Sequence, residues 1–348
     1  MKILNRKISK TNPPFIIAEL SGNHKGSLVR ALKIVDKAKA AGASAIKLQT
    51  FDLNEMTINF KSKSFVINDK ASPWYKKNLY QLYKKAQTPK IWHKKIFEHS
   101  KKIGLICFSS VFDIKSLAFL EKLNAPAYKI ASFENNHYPL IEKVAATKKP
   151  VIISTGMAKI DEIKEIVKIF KLKKNNNFAL LKCTSSYPAN PKESNIIAIK
   201  TLNEKFKCEV GLSDHTCGIG AAVASIAVGA SIIEKHIMLE KNDGSVDQAF
   251  SLNPLEFKNL VKEANNAWLS LGKKYLGPTK NEKNTLKFRR SIYVIKNSKK
   301  GDTLSNQNIK IIRPSYGLHP KYFNKLIGKK LKKTVRKGMP FKMNMIKI

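Results

Sequence analysis

The chain lacks several features that would place it in familiar classes of protein. Its four cysteines form no Cys-x-x-Cys pair, which excludes the usual cysteine-based zinc and redox motifs. No apolar run approaches the length of a membrane span, and residues 1–10 lack the apolar core of a signal peptide. We therefore expect reduced thiols, no membrane segment and a cytoplasmic protein.

Acidic residues are scarce, since 25 Asp and Glu stand against 65 Lys and Arg, a formal net charge of +40. A charge of this size can indicate binding to nucleic acid. However, the basic residues are spread along the chain, without an arginine-rich block or regularly interleaved aromatic residues. Attraction of small phosphorylated substrates explains the charge at least as well, so nucleic-acid binding is kept as an alternative of a different class.

Short β-type runs alternate with helical stretches in residues 1–271, which matches the size and rhythm of a TIM (β/α)8 barrel in the α/β class. We predict strands at residues 15–18, 45–48, 105–109, 127–130, 151–153, 179–183, 210–213 and 231–234. A doubly wound sheet is the alternative fold, but its Gly-x-Gly-x-x-Gly turn is absent after the first strand, where the sequence reads AELSGNH. Residues 52–77 interrupt the alternation and are predicted to form a lid or surface loop.

The C-terminal part of the chain has a different pattern. Residues 272–287 are polar and rich in turn formers, which is typical of a linker. Short strands and glycine turns fill residues 288–348, where we expect a second, small domain. A module of this size has a limited core, so we expect it to pack against the barrel or against a second subunit.

Two histidines follow consecutive predicted strands. His215 and His236 close the runs at 210–213 and 231–234, and the carboxyl ends of barrel strands meet at one mouth, so the imidazoles should lie close together. Two histidines with Asp214 and Glu234 nearby suit a divalent metal ion with open positions for substrate. A structural role for either histidine is the alternative interpretation.

Two lysines indicate an anion site. Lys47 and Lys129 lie inside apolar runs, AIKLQ and AYKIA, where a buried ammonium group is disfavoured unless an anion pairs with it. Hydroxyl groups at strand ends and backbone N–H groups at helix starts would complete a phosphate or carboxylate pocket. The other polar side chains expected at the mouth are Glu19, Gln49, Ser110, Ser132, Glu134, Ser154, Ser185, Tyr187 and Ser213.

An anion site beside a metal site suits a phosphorylated substrate and a carbonyl group that the metal polarises for attack by an enol or by water. The sequence has no nucleophile elbow and no lysine that stands out as a Schiff-base former. Carbon–carbon bond formation without a covalent enzyme intermediate is therefore the chemical hypothesis.

Several segments carry a family resemblance. They read IIAELSGNHKGSL, AIKLQTF, AYKIASFENN, PVIISTGMA, LLKCTSSYPANP, VGLSDHTCGIGAAVASIAVGA, IEKHIML, GSVDQAFSL and FRRSIYV. In this order they resemble the sialic acid synthase family, the phosphoenolpyruvate-dependent nonulosonate synthases, along nearly the whole chain. KIASFEN, LKCTSSYPA, VDQAFSL and FRRSIYV resemble the branch that makes pseudaminic acid more than the N-acetylneuraminate branch.

The resemblance implies condensation of phosphoenolpyruvate with 2,4-diacetamido-2,4,6-trideoxy-L-altrose, which gives a nine-carbon acid and phosphate. N-acetylneuraminate or legionaminate synthesis, with the same mechanism and another sugar, is the alternative within the family. The C-terminal domain resembles the antifreeze-like (SAF) domain of the family. This implies a domain-swapped homodimer in which Arg313 enters the neighbouring subunit's active site.

The resemblance also implies roles for the residues at the mouth. His215 and His236 would bind Mn²⁺, with Mg²⁺ or Co²⁺ as alternatives, to polarise the sugar aldehyde. Glu134 would assist proton transfers and water addition at C2 of the enolpyruvyl group, and Arg313 would act in catalysis and in sugar binding. Phosphoenolpyruvate would be held by Lys47, Ser110, Lys129, Ser132, Ser154, Ser185 and Ser213. The sugar would contact Glu19, Gln49, Tyr187 and Asp247.

Overall fold

The computed structural model describes residues 1–70 and 72–346 and divides into two compact units, Met1–Gly272 and Lys273–Ile348. A short antiparallel hairpin, β1 (Lys2–Ile3) with β2 (Arg6–Lys7), opens the first unit. Eight parallel strands follow and close into a barrel, in which the last strand pairs with the first. The predicted TIM barrel is therefore confirmed.

The barrel strands lie where the sequence predicts them, with ends that differ by one or two residues. They are β3 (Phe15–Glu19), β4 (Ala45–Thr50), β5 (Ile106–Val111), β6 (Tyr128–Ile130), β7 (Val151–Ser154), β8 (Phe178–Cys183), β9 (Glu209–Asp214) and β10 (Ile232–His236). The helices of this unit are α1 (Leu28–Ala40), α2 (Leu53–Met56), α3 (Leu79–Ala86), α4 (Lys90–Lys102), α5 (Ile114–Lys122), α6 (Tyr138–Ala146), α7 (Ile160–Leu172), α8 (Ala198–Phe206), α9 (Gly220–Ala227) and α10 (Pro254–Ser270).

Alternation along each strand divides the buried side chains into two layers. One layer packs between the strands and the surrounding helices, for example Ile16 and Ala18 of β3. The other layer fills the barrel interior, and here Phe15 and Ile17 of β3 meet inward side chains of the other strands. Because inward positions recur every second residue, the inward row of β3 ends at Glu19, at the carboxyl end of the barrel.

Gly211 of β9 shows how tightly the barrel interior is packed. A side chain at this position would collide with the backbone carbonyl of Ile232 and with the side chain of Leu181. Glycine therefore allows β9 to approach its neighbours below the polar residues that follow it on the same strand.

Residues 52–87, which we call the β4–α4 insertion, occupy the region predicted as a lid or surface loop and extend beyond it. The insertion contains α2, a 3-10 helix at Lys63–Phe65 and α3. It is longer than the usual connection between a barrel strand and the next helix, and residues of its helices line the cavity described below.

The second unit has a core of its own. Strands β11 (Ser291–Val294) and β12 (Ile309–Ile312) pair antiparallel, and a short helix, α11 (Phe323–Leu326), follows. The apolar side chains buried in this unit are Ile292, Val294, Leu304, Ile309, Leu326, Leu331, Val335, Phe341, Met345 and Ile346. Residues 272–287, predicted as a linker, are exposed throughout, and a 3-10 helix forms at Glu282–Phe288.

Within residues 1–70 and 72–346, no helix has the length and apolarity that crossing a bilayer requires.

Candidate active site

The inward rows of the barrel end in polar side chains around a cavity of about 390 Å³. This volume lies in the range typical of small-molecule sites. The cavity is lined by every barrel residue to which the family resemblance gives a role, namely Glu19, Lys47, Gln49, Ser110, Lys129, Ser132, Glu134, Ser154, Ser185, Tyr187, Ser213, His215, His236 and Asp247, whereas Asp214, expected near the metal site, does not line it. The structure thus brings these side chains together, and their roles remain predictions.

Two lysines and two carboxylates form a buried charge cluster at the floor of the cavity. Lys47 Nζ lies 2.5 Å from Glu19 Oε2 and 3.5 Å from Glu234 Oε1. Lys129 Nζ lies 3.7 Å from the same Glu234 oxygen. Each of these four side chains is nearly inaccessible to solvent, so their charges interact without screening by water.

The cluster sets the charge state of its members. Burial would raise the pKa of Glu234, but Lys129 and Lys47 outweigh it and hold this pKa at about 2. Burial raises the pKa of Glu19 more than Lys47 lowers it. Burial also lowers the pKa of Lys129, by more than the charge of Glu234 raises it.

Serine hydroxyls complete the anion site. Lys47 Nζ donates to Ser110 Oγ at 2.8 Å, and Lys129 Nζ donates to Ser154 Oγ at 2.5 Å. Gly156 N–H donates to Ser132 Oγ at 3.2 Å, and any side chain at Gly156 would collide with the hydroxyls of Ser132 and Ser185. Glycine here leaves room for both hydroxyls, which line the same cavity as the two lysines, and this combination of groups suits phosphate or carboxylate oxygens.

Glu134 lies in a 3-10 helix at Ser132–Glu134, directly after β6. Burial raises the pKa of Glu134 to about 7, and the nearby Lys129 and Lys47 offset only part of this effect. Among the described residues, its Oε2 atom has no hydrogen-bond partner. A cavity-lining carboxyl group of this kind can gain or lose a proton near neutral pH.

His215 and His236 lie side by side, with ring centroids 5.4 Å apart. His215 Nδ1 donates to the carbonyl oxygen of Thr184 at 2.9 Å, so the lone pair of this ring is on Nε2. His236 Nδ1 lies 3.4 Å from Asp247 Oδ2 but makes no hydrogen bond with the residues that the structure describes.

Two imidazoles with available nitrogens fit a divalent metal ion as protein ligands. In the described part of the chain, no group of three or more His, Cys, Asp or Glu side chains is arranged to hold a metal.

A buried ion pair fixes the strand ends that carry the two histidines. Lys235 Nζ donates to Asp214 Oδ2 at 2.7 Å, and both side chains are almost completely buried. Asp214 also accepts from the N–H of Thr216 at 2.9 Å. This pair joins the residue before His215 to the residue before His236, and so it fixes the ends of β9 and β10 relative to each other.

Asp247 is held by a buried asparagine at the start of the chain. Asn23 donates to the carbonyl oxygen of Ile237 and to Ser251 Oγ, each at 2.9 Å, and accepts from the N–H of Asp247 at 3.3 Å. These contacts tie the loop after β10 to the loop after β3, which places Asp247 beside His236.

Sequence reasoning missed one wall of the cavity. Trp74 and the apolar face of α3 line it, both from the β4–α4 insertion. The helical spacing of Leu79, Leu82, Tyr83 and Ala86 was the available signal. Their direction toward the mouth depends on tertiary packing and could not be read from that spacing.

Arg313 belongs to the second unit, where it is exposed in the loop that follows β12. The cavity-lining residues all belong to the first unit. No role in the barrel cavity follows for Arg313 from the structure of one chain.

The fold and the site together define a TIM-barrel enzyme with a lysine–serine anion site beside a pair of histidines. The chain matches the NeuB family over residues 34–275 and the SAF domain over residues 289–347. It therefore belongs to the NeuB family and carries a C-terminal SAF domain, as the resemblance in the sequence predicts.

The relatives of the chain include synthases of known name. It is 46% identical over 324 residues to the pseudaminic acid synthase of Campylobacter jejuni subsp. jejuni serotype O:2, covering 93% of this chain and 94% of that one. It is 41% identical over 330 residues to the pseudaminic acid synthase of Helicobacter pylori, covering 94% and 96%.

A solved structure shows the same fold. The crystal structure of N-acetylneuraminic acid (sialic acid) synthetase from Leptospira borgpetersenii serovar Hardjo-bovis, in complex with citrate, matches with a TM-score of 0.73 at 35% identity. The match covers 82% of this chain and 94% of that one.

Proposed function

We propose that the chain is a pseudaminic acid synthase, which condenses phosphoenolpyruvate with 2,4-diacetamido-2,4,6-trideoxy-L-altrose and releases phosphate. The observation that carries the proposal is a single cavity in which a lysine–serine anion site adjoins two available imidazoles. The identities of 46% and 41% to pseudaminic acid synthases, over nearly the whole chain, support the choice of product.

Lys47, Lys129 and the hydroxyls of the anion site would hold the phosphate and carboxylate of phosphoenolpyruvate. C3 of the enol then forms a bond to the aldehyde carbon of the sugar, and the aldehyde oxygen takes up a proton. Water adds to C2, the bond from C2 to the phosphate oxygen breaks, and phosphate leaves. The product is a nine-carbon 2-keto acid, and no covalent enzyme intermediate is required.

His215 and His236 would hold a divalent ion, Mn²⁺ in our proposal with Mg²⁺ or Co²⁺ as alternatives, and the bound ion supplies polarisation of the sugar aldehyde. Glu19, Gln49, Tyr187 and Asp247 would contact the sugar. The proposal extends to a cytoplasmic, domain-swapped homodimer in which Arg313 acts in the other subunit's site, supported by the SAF domain and by the exposure of Arg313.

The proposal is tested by phosphate release from phosphoenolpyruvate with purified protein and Mn²⁺. We expect release with the diacetamido-trideoxy altrose sugar and a product with the mass of the nine-carbon acid. Preference for N-acetylmannosamine, or for the legionaminate precursor, would keep the mechanism and change the product. If no sugar supports release, and the protein instead binds polynucleotides with an affinity that falls steeply with salt, the enzyme proposal is wrong.

The raised pKa of Glu134 predicts a pH dependence. A carboxylate that activates water must be deprotonated, so kcat/KM should fall about tenfold per pH unit below its pKa of about 7. The measurement is the pH profile of kcat/KM for wild type and Glu134→Gln. The variant should have a low kcat/KM, and its kcat/KM should not show this fall toward low pH. An unchanged limb in the variant would assign the titration to another group, and a rise toward low pH in wild type would make Glu134 an acid.

A further inference from the structure

Helix α3 has an apolar face that does not reach the hydrophobic core. Leu79, Leu82, Tyr83 and Ala86 are spaced as one face of a helix, and none of the side chains of α3 is fully buried. All four line the cavity. Because an amphipathic helix is normally stabilised by burial of its apolar face, this face is suited to contact apolar groups of a bound molecule.

Trp74 and Ile67 extend the same surface, and we call these six residues, Ile67, Trp74, Leu79, Leu82, Tyr83 and Ala86, the apolar wall. Trp74 Nε1 donates to the carbonyl oxygen of Val246 at 3.0 Å, and its ring centroid lies 5.4 Å from that of Tyr187. The indole N–H is thus satisfied, and the insertion is fastened to the loop that carries Asp247.

The apolar wall and the charge cluster offer different chemistry to the two substrates. Phosphoenolpyruvate is small and carries several negative charges, so it belongs with Lys47 and Lys129. The wall is then left for the sugar. The insertion also contributes the polar residues Asp69 and Ser72 to the cavity lining.

Resting on the proposed function, we propose that the apolar wall determines which sugar is accepted, by receiving its methyl-bearing substituents. The diacetamido-trideoxy sugar presents a C6 methyl group and two acetamido methyl groups. N-acetylmannosamine presents one acetamido methyl group and a C6 hydroxymethyl group. A hydroxyl group placed against apolar side chains loses its hydrogen bonds to water without replacement, and the wall therefore disfavours the 6-hydroxy sugar.

The test is Leu82→Asn, which puts an amide in the middle of the wall. We expect kcat/KM for the diacetamido-trideoxy sugar to fall about tenfold, the magnitude usual for one lost apolar contact in a substrate pocket. The ratio of kcat/KM for the diacetamido-trideoxy sugar to kcat/KM for N-acetylmannosamine should decrease. The KM for phosphoenolpyruvate should stay within about twofold of wild type, because the substitution does not change the anion site. Leu82→Ala serves as a second variant if the asparagine prevents folding, with loss in the same direction.

Lys84→Asn is the matched control, since Lys84 is exposed on the opposite face of α3 and the same residue is introduced. It should retain the wild-type kcat/KM for both sugars. Equal losses for both sugars in Leu82→Asn, or a parallel rise in the KM for phosphoenolpyruvate, would overturn the role of the wall while leaving the proposed function standing. If the wild-type protein is inactive with both sugars, the proposed function is wrong, and the inference that rests on it is wrong as well.

Discussion

His236→Ala should lower kcat by on the order of 10³-fold without unfolding the protein. Polarisation of a carbonyl by a metal ion contributes several kcal/mol to transition-state stabilisation, and each ~1.4 kcal/mol is a factor of ten in rate. The fold should survive because His236 lines the cavity and lies outside the hydrophobic core, so that its removal costs mainly the ring contact with Phe250 and the pairing with Asp247. The measurements are kcat at saturating substrates and Tm.

The matched control is His99→Ala, which removes a histidine from α4 that pairs with Asp36 at 2.6 Å, away from the cavity. This variant should keep full activity. Chelation should inactivate the wild type reversibly, and calorimetry should show Mn²⁺ binding to wild type but not to His236→Ala. A metal-stripped enzyme that turns over at the wild-type rate, or a variant that does so, would contradict the assignment of the two histidines.

Much of the site could be predicted because the side chains of a barrel strand point alternately into the barrel and out toward the helices. In β4 the inward residues are Ala45, Lys47 and Gln49, so a lysine two positions after a small apolar residue had to point into the barrel. The same alternation places Glu234 between Ile232 and His236 on the inner face. The period of two, together with the shared mouth of the strand ends, was sufficient to gather the predicted residues.

The contacts within the site could not be predicted in the same way. The sequence placed Glu234 beside the histidines, but it did not show that a Glu234 oxygen also lies 3.7 Å from Lys129 and 3.5 Å from Lys47, which belong to strands that do not pair with β10. That pairing depends on which inward side chains are long enough to cross the barrel. The orientation of Trp74 and α3 likewise depends on how a long insertion packs, which local periodicity does not specify.

Three strand ends were predicted two residues too early for a related reason. The sequence analysis ends the second, third and eighth strands at residues 48, 109 and 234, whereas β4 continues to Thr50, β5 to Val111 and β10 to His236. Polar residues were interpreted as the end of each strand. In the structure these polar residues still form backbone hydrogen bonds with the neighbouring strands, and their side chains face the cavity or bind other side chains. A polar residue therefore indicates the mouth of the barrel and not the end of the strand.

Lys129→Met should lower kcat/KM for phosphoenolpyruvate on the order of 10²-fold and should abolish the rise in Tm that phosphoenolpyruvate causes. The loss follows from removing one charged hydrogen-bond donor to the anion, worth up to ~3 kcal/mol. The free variant should also lose stability, because Lys129 is the charge that contributes most to holding the pKa of the buried Glu234 at about 2. Steady-state kinetics and thermal unfolding, with and without phosphoenolpyruvate, measure both effects.

The two effects together separate a substrate-binding lysine from a structural one. A ligand that binds only the folded state raises Tm, so phosphoenolpyruvate should stabilise wild type and Lys149→Met, but not Lys129→Met. Lys149 is a suitable control because it also pairs with a glutamate, Glu121 at 2.8 Å, outside the cavity lining. If Lys129→Met lowers Tm but leaves the KM and the phosphoenolpyruvate-induced rise in Tm unchanged, Lys129 serves the barrel and the anion must be held elsewhere. The anion would then pair with Lys47 and not with Lys129. The carboxylates of Glu19 and Glu234 already raise the pKa of Lys47 despite its burial, so Lys47 is charged before the anion binds.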